Sequence, residues 1–488
     1  MAQMSMSRAI SFLAEQDPDR PAITHEGSSI TRREFDLQSN RLARAYESLG
    51  VKQDDLVTVA LPNSIEAYLA YAAIWKLGAT PQPVSAKLPR KEQQDIIELA
   101  NPSLVVGVDP ELIGDRPSVP AGFEPNPALS DAQLPDRTAS HWKAPTSGGS
   151  TGRPKVIVAG APSEIDPEGT PGFGQQANGV QLVPGPLYHN APFMFSCRGL
   201  LTGNHLVVMS RFDAEEALRL IEAYRVDWML VVPTMMHRIW RLGESVRNKY
   251  DLSSLNGLLH LAAPCPVWLK EAWIEWLGGE RIWELYAGTE SQGVTIIRGD
   301  EWMAHKGSVG KPAEGSMRIL DEKGQPCPPN VVGEVYMKPR GRSYHYIGAT
   351  ARRTEDGWET LGDMGYFDED GYLYLADRQT DMILTGGANV YPAEVEAIID
   401  AYPGVRSSCV IGLPDDDMGN RVHAIIDTAG RRLDEAALFE YLADQLARYK
   451  HPRSIEVVDE PLRDDAGKVR RSALRAARMQ GSNKPGNG

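Results

Sequence analysis

The chain predicts an α/β fold, with a large multi-sheet N-terminal part and a small α+β C-terminal part. Three observations carry this. Short apolar runs alternate with amphipathic stretches through the first 140 residues, and the same alternation resumes near Leu206. The texture then changes at Gly333, where turn residues separate short strand-like runs. At 488 residues the chain is also too long for one compact core, so two or three domains are expected.

In chain order, Asp55 to Leu61 predicts a buried strand, and Ile65 to Leu77 a helix with apolar residues at three- and four-residue spacing. Leu104 to Val108 predicts another strand. Glu164 to Gly174, rich in Pro and Gly, predicts a mobile loop. Leu206 to Met209 reads as strand, Glu215 to Tyr224 as helix and Trp228 to Val232 as strand. Gly333-Glu334-Val335-Tyr336-Met337 and Gly371-Tyr372-Leu373-Tyr374-Leu375 predict antiparallel strands. Ala393 to Ile399 opens a helix, and a small α+β unit continues to about Arg478. Met479 to Gly488 is polar and Gly-rich and predicts a frayed end.

Apolar residues make up 42% of the chain and charged residues 24%, ordinary for a globular enzyme. A net charge of −14 argues against broad nucleic-acid binding but leaves room for basic patches around an anionic ligand. Cys197, Cys265, Cys327 and Cys409 are scattered, without metal or disulfide spacing. With no secretory h-region at the N-terminus and no apolar run of spanning length, a cytoplasmic location is expected.

Four clusters carry chemistry. Thr146-Ser147-Gly148-Gly149-Ser150-Thr151-Gly152-Arg153-Pro154-Lys155 holds three glycines, four hydroxyls and a lysine within ten residues. Glycine lets backbone N–H groups approach an anion, hydroxyls donate, and lysine adds charge, so the segment suits polyphosphate. It lacks the Gly-Lys-Ser/Thr step of the Walker loop. By itself such a stretch also reads as a Ser/Gly-rich surface loop. Trp283 to Glu290 follows a strand with Thr289 and Glu290, a hydroxyl and a carboxylate where open α/β sheets bind ligands; a lone glutamate is otherwise a solvated group. Gly362-Asp363 and Arg378 could serve a ribose and a phosphate, or be a turn aspartate and a surface arginine. Lys468 follows Asp464-Asp465-Ala466-Gly467, a turn able to present it at a loop tip, within a basic run that also reads as a solvated face.

In their order, these clusters resemble the acyl-adenylate-forming superfamily: acid–CoA ligases, peptide-synthetase adenylation domains and beetle luciferases. The likeness runs from Arg41-Leu42-Ala43 to Lys468. It implies an N-terminal adenylation domain over residues 1–378 and a small mobile C-terminal domain over 379–488. It implies ATP and Mg²⁺ as cofactors. Thr146, Ser147, Gly148, Gly149, Ser150, Thr151, Gly152 and Lys155 would form the phosphate loop. Thr289 would touch the α-phosphate, and Glu290 would hold Mg²⁺. Ala263 and Pro264 would flank adenine with Tyr286 stacking on it, while Asp363 and Arg378 hold the ribose. His189 would sit by the acyl carboxylate, Lys468 would be the catalytic lysine, and Thr380 and Asp381 the hinge. Two positions depart from the pattern: Ala287 replaces a glycine, and Thr380 stands where many relatives carry Asp or Lys.

The resemblance implies that a carboxylate attacks the α-phosphate of ATP, giving acyl-AMP and pyrophosphate, with Lys468 and Mg²⁺ neutralising the accumulating charge. The motifs look most like bacterial ligases for bulky aromatic or polycyclic acids. Phe193, Phe195, Leu201, Met235, Met236 and Gly288 are expected to line the acyl pocket, Gly288 leaving room for a wide ring system; the apolar residues among them also read simply as core, Met235 and Met236 above all. Coenzyme A is the expected acceptor. The alternative is a free amine, as in amide bond synthetases. A silent adenylate binder and a Walker-type NTPase are the rivals of another class; the latter would yield ADP where an adenylating enzyme yields AMP.

Overall fold

Leu206-Val207-Val208, Met229-Leu230-Val231 and Leu258-Leu259 are buried on both faces, the pattern of parallel strands covered by helices. The computed structural model describes residues 3–148, 154–313, 315–339, 344–378, 381–385, 388–415, 418–464 and 467–481, excluding the side chains at 147, 148, 377, 378, 389, 480 and 481. There these runs lie in one large sheet. Its parallel centre passes through Pro21–His25, His205–Val208, Val180–Val183, Trp228–Val231, Gly257–His260 and Ile282–Ala287. Beyond Ile282–Ala287 the pairing turns antiparallel, through Val294–Arg298, Ser308–Pro312, Leu373–Arg378, Glu359–Phe367, Gly333–Met337 and Met317–Leu320. The predicted change of texture at Gly333 is this antiparallel wing.

A second, parallel sheet holds Thr80–Pro83, Leu56–Val59, Leu104–Val106 and Ser118–Val119. The predicted helix forms as Ile65–Lys76, started by Ser64, whose hydroxyl accepts from the Ala67 N–H. It is apolar all round because it is enclosed: Tyr68, Tyr71 and Trp75 are buried, and Lys76 survives there by pairing with Asp36 at 2.7 Å. A third sheet pairs Thr146–Gly148, Pro154–Val158 and His345–Ile347, all antiparallel. The two ends of the Ser/Gly-rich segment, Thr146–Gly148 and Pro154-Lys155, thus pair with each other.

In the C-terminal part, Ser407–Asp415 and Gly419–Asp427 pair antiparallel and Ser454–Val458 lies parallel alongside. Pro392–Ala401 begins with proline, whose missing N–H costs nothing at a helix start. Its Val395 and Ile399 pack with Val410, Val422, Leu438 and Leu442 into a separate core. The Glu164 to Gly174 stretch differs from expectation in being anchored: Glu164–Ile165 pairs with Met4–Ser5. Among the described residues no helix is long and apolar enough to cross a membrane, and all four cysteines are free.

Candidate active site

The carboxyl ends of the parallel strands open onto one cleft of about 1990 Å³. Pro83 to Ser85, Gly185-Pro186, Val232 to Thr234, Leu261 to Pro266 and Ala287 to Glu290 all line it, each at or just beyond the end of a strand. The C-terminal part contributes Asp381, Glu396, Arg463, Gly467 and Lys468 to the opposite wall.

Lys155 is the second residue of Pro154–Val158, whose antiparallel neighbour His345–Ile347 carries Tyr346. Lys155 Nζ donates to Glu290 Oε1 at 3.0 Å and to the Tyr346 hydroxyl at 3.1 Å, and it lies 4.1 Å from the centre of the Tyr346 ring. Tyr346 in turn donates to Glu290 Oε1 at 2.5 Å. Burial and the Glu290 carboxylate push the Tyr346 hydroxyl up, so it remains a donor. Glu290 is 7% exposed. It is presented with Thr289 by a turn in which the Ser291 N–H donates to the Gly288 carbonyl at 3.0 Å. Among the described residues no three His, Cys, Asp or Glu side chains gather as a metal cage. This donor set fits Mg²⁺, which keeps its waters and binds through one or two carboxylates plus substrate phosphates. Thr146 accepts from Gln82 at 3.1 Å. Ser147 and Gly148 pair through their backbones with Lys155 and Pro154. Gly149, Ser150, Thr151, Gly152 and Thr380 lie outside the described residues.

The expected adenosine residues also come together. The Tyr286 hydroxyl donates to Asp363 Oδ2 at 2.8 Å, and Asp363 and Arg378 are cross-strand partners. Ala263 and Pro264 line the cleft after Ala262, a non-glycine residue at φ 76°, a conformation that strain-bearing sites retain. Beneath Tyr286, Glu284 is buried and hydrogen-bonded to buried Lys270, with His260 Nε2 3.8 Å away.

Lys468 sits on a turn closed twice by Asp464, whose N–H donates to the Lys468 carbonyl and whose Oδ1 accepts from the Lys468 N–H, both at 2.9 Å. Gly467 has φ +75°, and a Cβ there would stand 2.8 Å from Thr234 Oγ1 of the N-terminal part. Glu396 fastens the turn from both sides, accepting from Arg463 at 3.1 Å and Arg471 at 2.7 Å. Arg471 also reaches Asp381, the second of the two expected hinge residues, at 3.2 Å. Asp464 Oδ2 lies 3.9 Å from His189 Nε2. His189 Nε2 is buried and makes no hydrogen bond among the described residues. Burial and the Lys468 charge lower its pKa to about 3, so the ring is neutral at ordinary pH.

The acyl-pocket expectation is corrected in part. Phe195, Met235 and Gly288 line the cleft, but Phe193, Leu201 and Met236 are enclosed in packed core away from it. Phe193 is 0% exposed, with its ring centre 4.9 Å from Tyr71 and 6.0 Å from Trp142. The cause is helical: in Asn190–Leu201, residues 190, 191, 194, 195 and 198 share the cleft face, and 193, 197, 200 and 201 share the other. Gly288 does not open room for rings either. A Cβ there would meet Leu361 Cδ1 at 2.4 Å and Glu290 Oε2 at 3.1 Å. Its small size serves packing under the Thr289–Glu290 turn.

The clamping role of Arg463 and Arg471 was not anticipated, nor were Tyr346, Glu396, Lys143 and Arg198. The last two line the cleft. Lys143 could have been suspected, since a lysine interrupts the apolar approach to the phosphate hairpin; the tyrosine and the clamp residues carry no local signal.

The chain matches the model of the AMP-binding enzymes over residues 12–346 and that of the AMP-binding enzyme C-terminal domain over 394–468. It is 31% identical to a feruloyl-CoA synthase of an Amycolatopsis species, covering 95% of this chain and 96% of that protein. It is 30% identical to the 2-succinylbenzoate–CoA ligase of Bacillus licheniformis, covering 94% and 98%. In fold it is similar to the o-succinylbenzoate CoA synthetase of Bacillus subtilis solved with its acyl-adenylate intermediate, with a TM-score of 0.83 at 23% identity, covering 97% and 99% of the two chains. The chain therefore belongs to the AMP-binding enzyme family and is an ATP-dependent ligase that forms acyl adenylates.

Proposed function

We propose that the protein adenylates an aromatic or polycyclic carboxylic acid and transfers the acyl group to the thiol of coenzyme A. The observation that carries this reading is the convergence of Lys155, Glu290, Thr289, the Tyr286–Asp363 pair, His189 and Lys468 on one cleft with aromatic walls at Phe173 and Phe195. Names of relatives support the acceptor and the ring-bearing acid, since two of them are a feruloyl-CoA synthase and a 2-succinylbenzoate–CoA ligase.

In this reading the phosphate hairpin, from Thr146 to Lys155, holds the β- and γ-phosphates. Mg²⁺, when bound, would lower the charge of the polyphosphate, with Glu290 as its protein ligand. Asp363 and Arg378 hold the ribose, and Tyr286, positioned by its bond to Asp363, stacks on adenine between Ala263-Pro264 and the sheet. The acid enters with its carboxylate beside neutral His189. A carboxylate oxygen attacks the α-phosphorus, the bond to the bridging oxygen breaks, and pyrophosphate leaves. Lys468 faces the charge that accumulates on the α-phosphate, the main obstacle when one anion attacks another. Thiol sulfur then attacks the acyl carbon and AMP departs. The small domain turns about Thr380 and Asp381 between the two steps.

Mass spectrometry of reactions containing ATP, Mg²⁺ and a panel of aryl and polycyclic acids tests this, with parallel tubes holding coenzyme A, a primary amine, or neither. Thioester with coenzyme A is the expected product. Amide without thioester would replace the acceptor assignment with the amide-synthetase reading.

A further inference from the structure

Lys143 is a buried lysine in the cleft wall to which the adenylation step gives no task. It is 3% exposed, lines the cleft and makes no ion pair among the described residues. Its backbone is fixed on both sides: the Ala159 N–H donates to the Lys143 carbonyl and the Ala144 N–H to the Pro81 carbonyl, both at 3.0 Å. Its side chain is fixed as well, Nζ donating to Asn190 Oδ1 and lying 4.8 Å from the centre of the Trp142 ring. Asn190 is the chain neighbour of His189 and opens the helix whose cleft face bounds the acyl cavity. Lys143 is thereby held at the near end of that cavity, where the acyl carbon lies when the substrate carboxylate rests beside His189.

Transfer of the acyl group needs a proton acceptor, because the nucleophile loses a proton on joining the acyl carbon. Burial, and then Arg198, lower the Lys143 pKa to about 7, against the opposing pull of Cys197 and Glu290. A free amine with a lone pair is therefore abundant at neutral pH. Its neighbours are worse placed to accept a proton. His189, lowered to about 3, holds one too weakly. Arg198 is a guanidinium and stays charged. Lys155 is bonded to Glu290 and Tyr346.

We propose that Lys143 is the proton acceptor of the acyl-transfer step. As the sulfur–carbon bond forms, the thiol proton passes to the lone pair of Lys143 Nζ. The bond from the acyl carbon to the phosphate oxygen breaks, and AMP leaves with that electron pair. The ammonium then returns its proton to water through the cleft. Asn190 is a positioning residue, its carbonyl aiming Nζ. The inference rests on the acyl-transfer reading above and assigns a residue to its second step.

The test supplies the adenylates of benzoate, cinnamate and naphthoate with coenzyme A or with benzylamine, and follows enzyme-dependent product between about pH 6 and pH 9.5. With coenzyme A, wild-type kcat/KM is expected to rise with a midpoint near pH 7. Lys143→Met should lower transfer at pH 7 by about a hundredfold, and its residual rate should rise only as the thiol itself ionises, near about pH 8.5. Lys143→Arg keeps the charge but accepts no proton, so it should not restore the rate. Asn190→Asp places a negative charge beside the ammonium and should move the midpoint to higher pH. The loss in transfer should exceed that in acid-dependent pyrophosphate exchange by about tenfold or more, a split that a merely structural lysine would not give. Melting temperatures identify any variant that has lost its fold, and the others then carry the comparison. A transfer profile that Lys143→Met or Asn190→Asp leaves unmoved, or equal losses in the two half-reactions, overturns the assignment while the acyl-transfer reading stands. Lys143-dependent amide without thioester supports the proton acceptor and replaces coenzyme A as the acceptor. If the wild type consumes none of the adenylates with either acceptor, the transfer reading falls and the assignment with it.

Discussion

Lys155 and Glu290, 135 residues apart, meet at 3.0 Å with the Tyr346 hydroxyl bonded to both. The hairpin that opens with the Ser/Gly-rich segment and the turn that closes the central parallel strands are thereby held in register. The pair is largely buried, at 21% and 5% side-chain exposure, so removing one partner leaves the other charge uncompensated. Lys155→Met and Glu290→Gln should each lower acid-dependent ATP–pyrophosphate exchange by about a hundredfold or more, the scale of removing one preorganised electrostatic contact. The double variant should lose much less than the sum, with a coupling of about 1 kcal/mol or more. Additive losses would show that the two act separately.

Tyr286 and Asp363 form the second such relationship, a 2.8 Å hydrogen bond between the strand where the antiparallel wing begins and one within that wing. Asp363→Ala should raise the KM for ATP by about tenfold or more, as lost charge-assisted bonds to ribose hydroxyls do. Tyr286→Phe keeps the ring and removes the bond, so its KM for ATP should rise only a few-fold, about 1 kcal/mol. Steady-state kinetics in ATP checks both. An unchanged ATP dependence in Asp363→Ala would remove that residue from the nucleotide site.

Lys468→Ala should abolish adenylation while leaving transfer from supplied acyl-AMP largely intact. Gly467→Ala should act in the same direction, because its φ of +75° and the 2.8 Å approach to Thr234 leave a Cβ nowhere to go when the turn is docked. Half-reaction assays separate the steps. Equal loss of both halves in Lys468→Ala would contradict its assignment.

Lys143 predicts a pH signature. Burial, with help from Arg198, lowers its pKa from 10.5 to about 7. Between these values the unfolded chain binds a proton that the folded chain has released, so stability rises with pH across that window. Below it both states are protonated, and the folded state bears the cost of a buried ammonium. Lys143→Met should therefore flatten the rise in melting temperature between about pH 7 and pH 10. Its absolute stability also reflects the Asn190 carbonyl left without its donor, so the slope is the diagnostic quantity. A slope equal to that of the wild type would place the titration elsewhere.

Much of this architecture is legible in the sequence because it is written in local pattern. Both-face apolar runs such as Leu206 to Val208 give the parallel strands, and the ends of the Ser/Gly-rich segment lie on paired strands of one small sheet. Asp464 to Gly467 marks the turn under Lys468. The cleft itself is less legible, because it depends on which face each helix presents. Phe193 and Phe195 look alike in sequence but lie two residues apart on a helix, so they point to nearly opposite sides, one to Tyr71 and Trp142 and one to the cavity. Gly288 reads as open space and is instead pressed against Leu361. Tyr346 and Glu396 act through partners more than fifty residues away, which no local pattern records.

The central claim is that the cleft transfers AMP, not phosphate, to a carboxylic acid. Acid-dependent exchange of labelled pyrophosphate into ATP measures that step directly. The account predicts exchange that requires both Mg²⁺ and a ring-bearing acid, with AMP and no ADP among the products. ADP formation without acid, or exchange indifferent to the acid supplied, would contradict it.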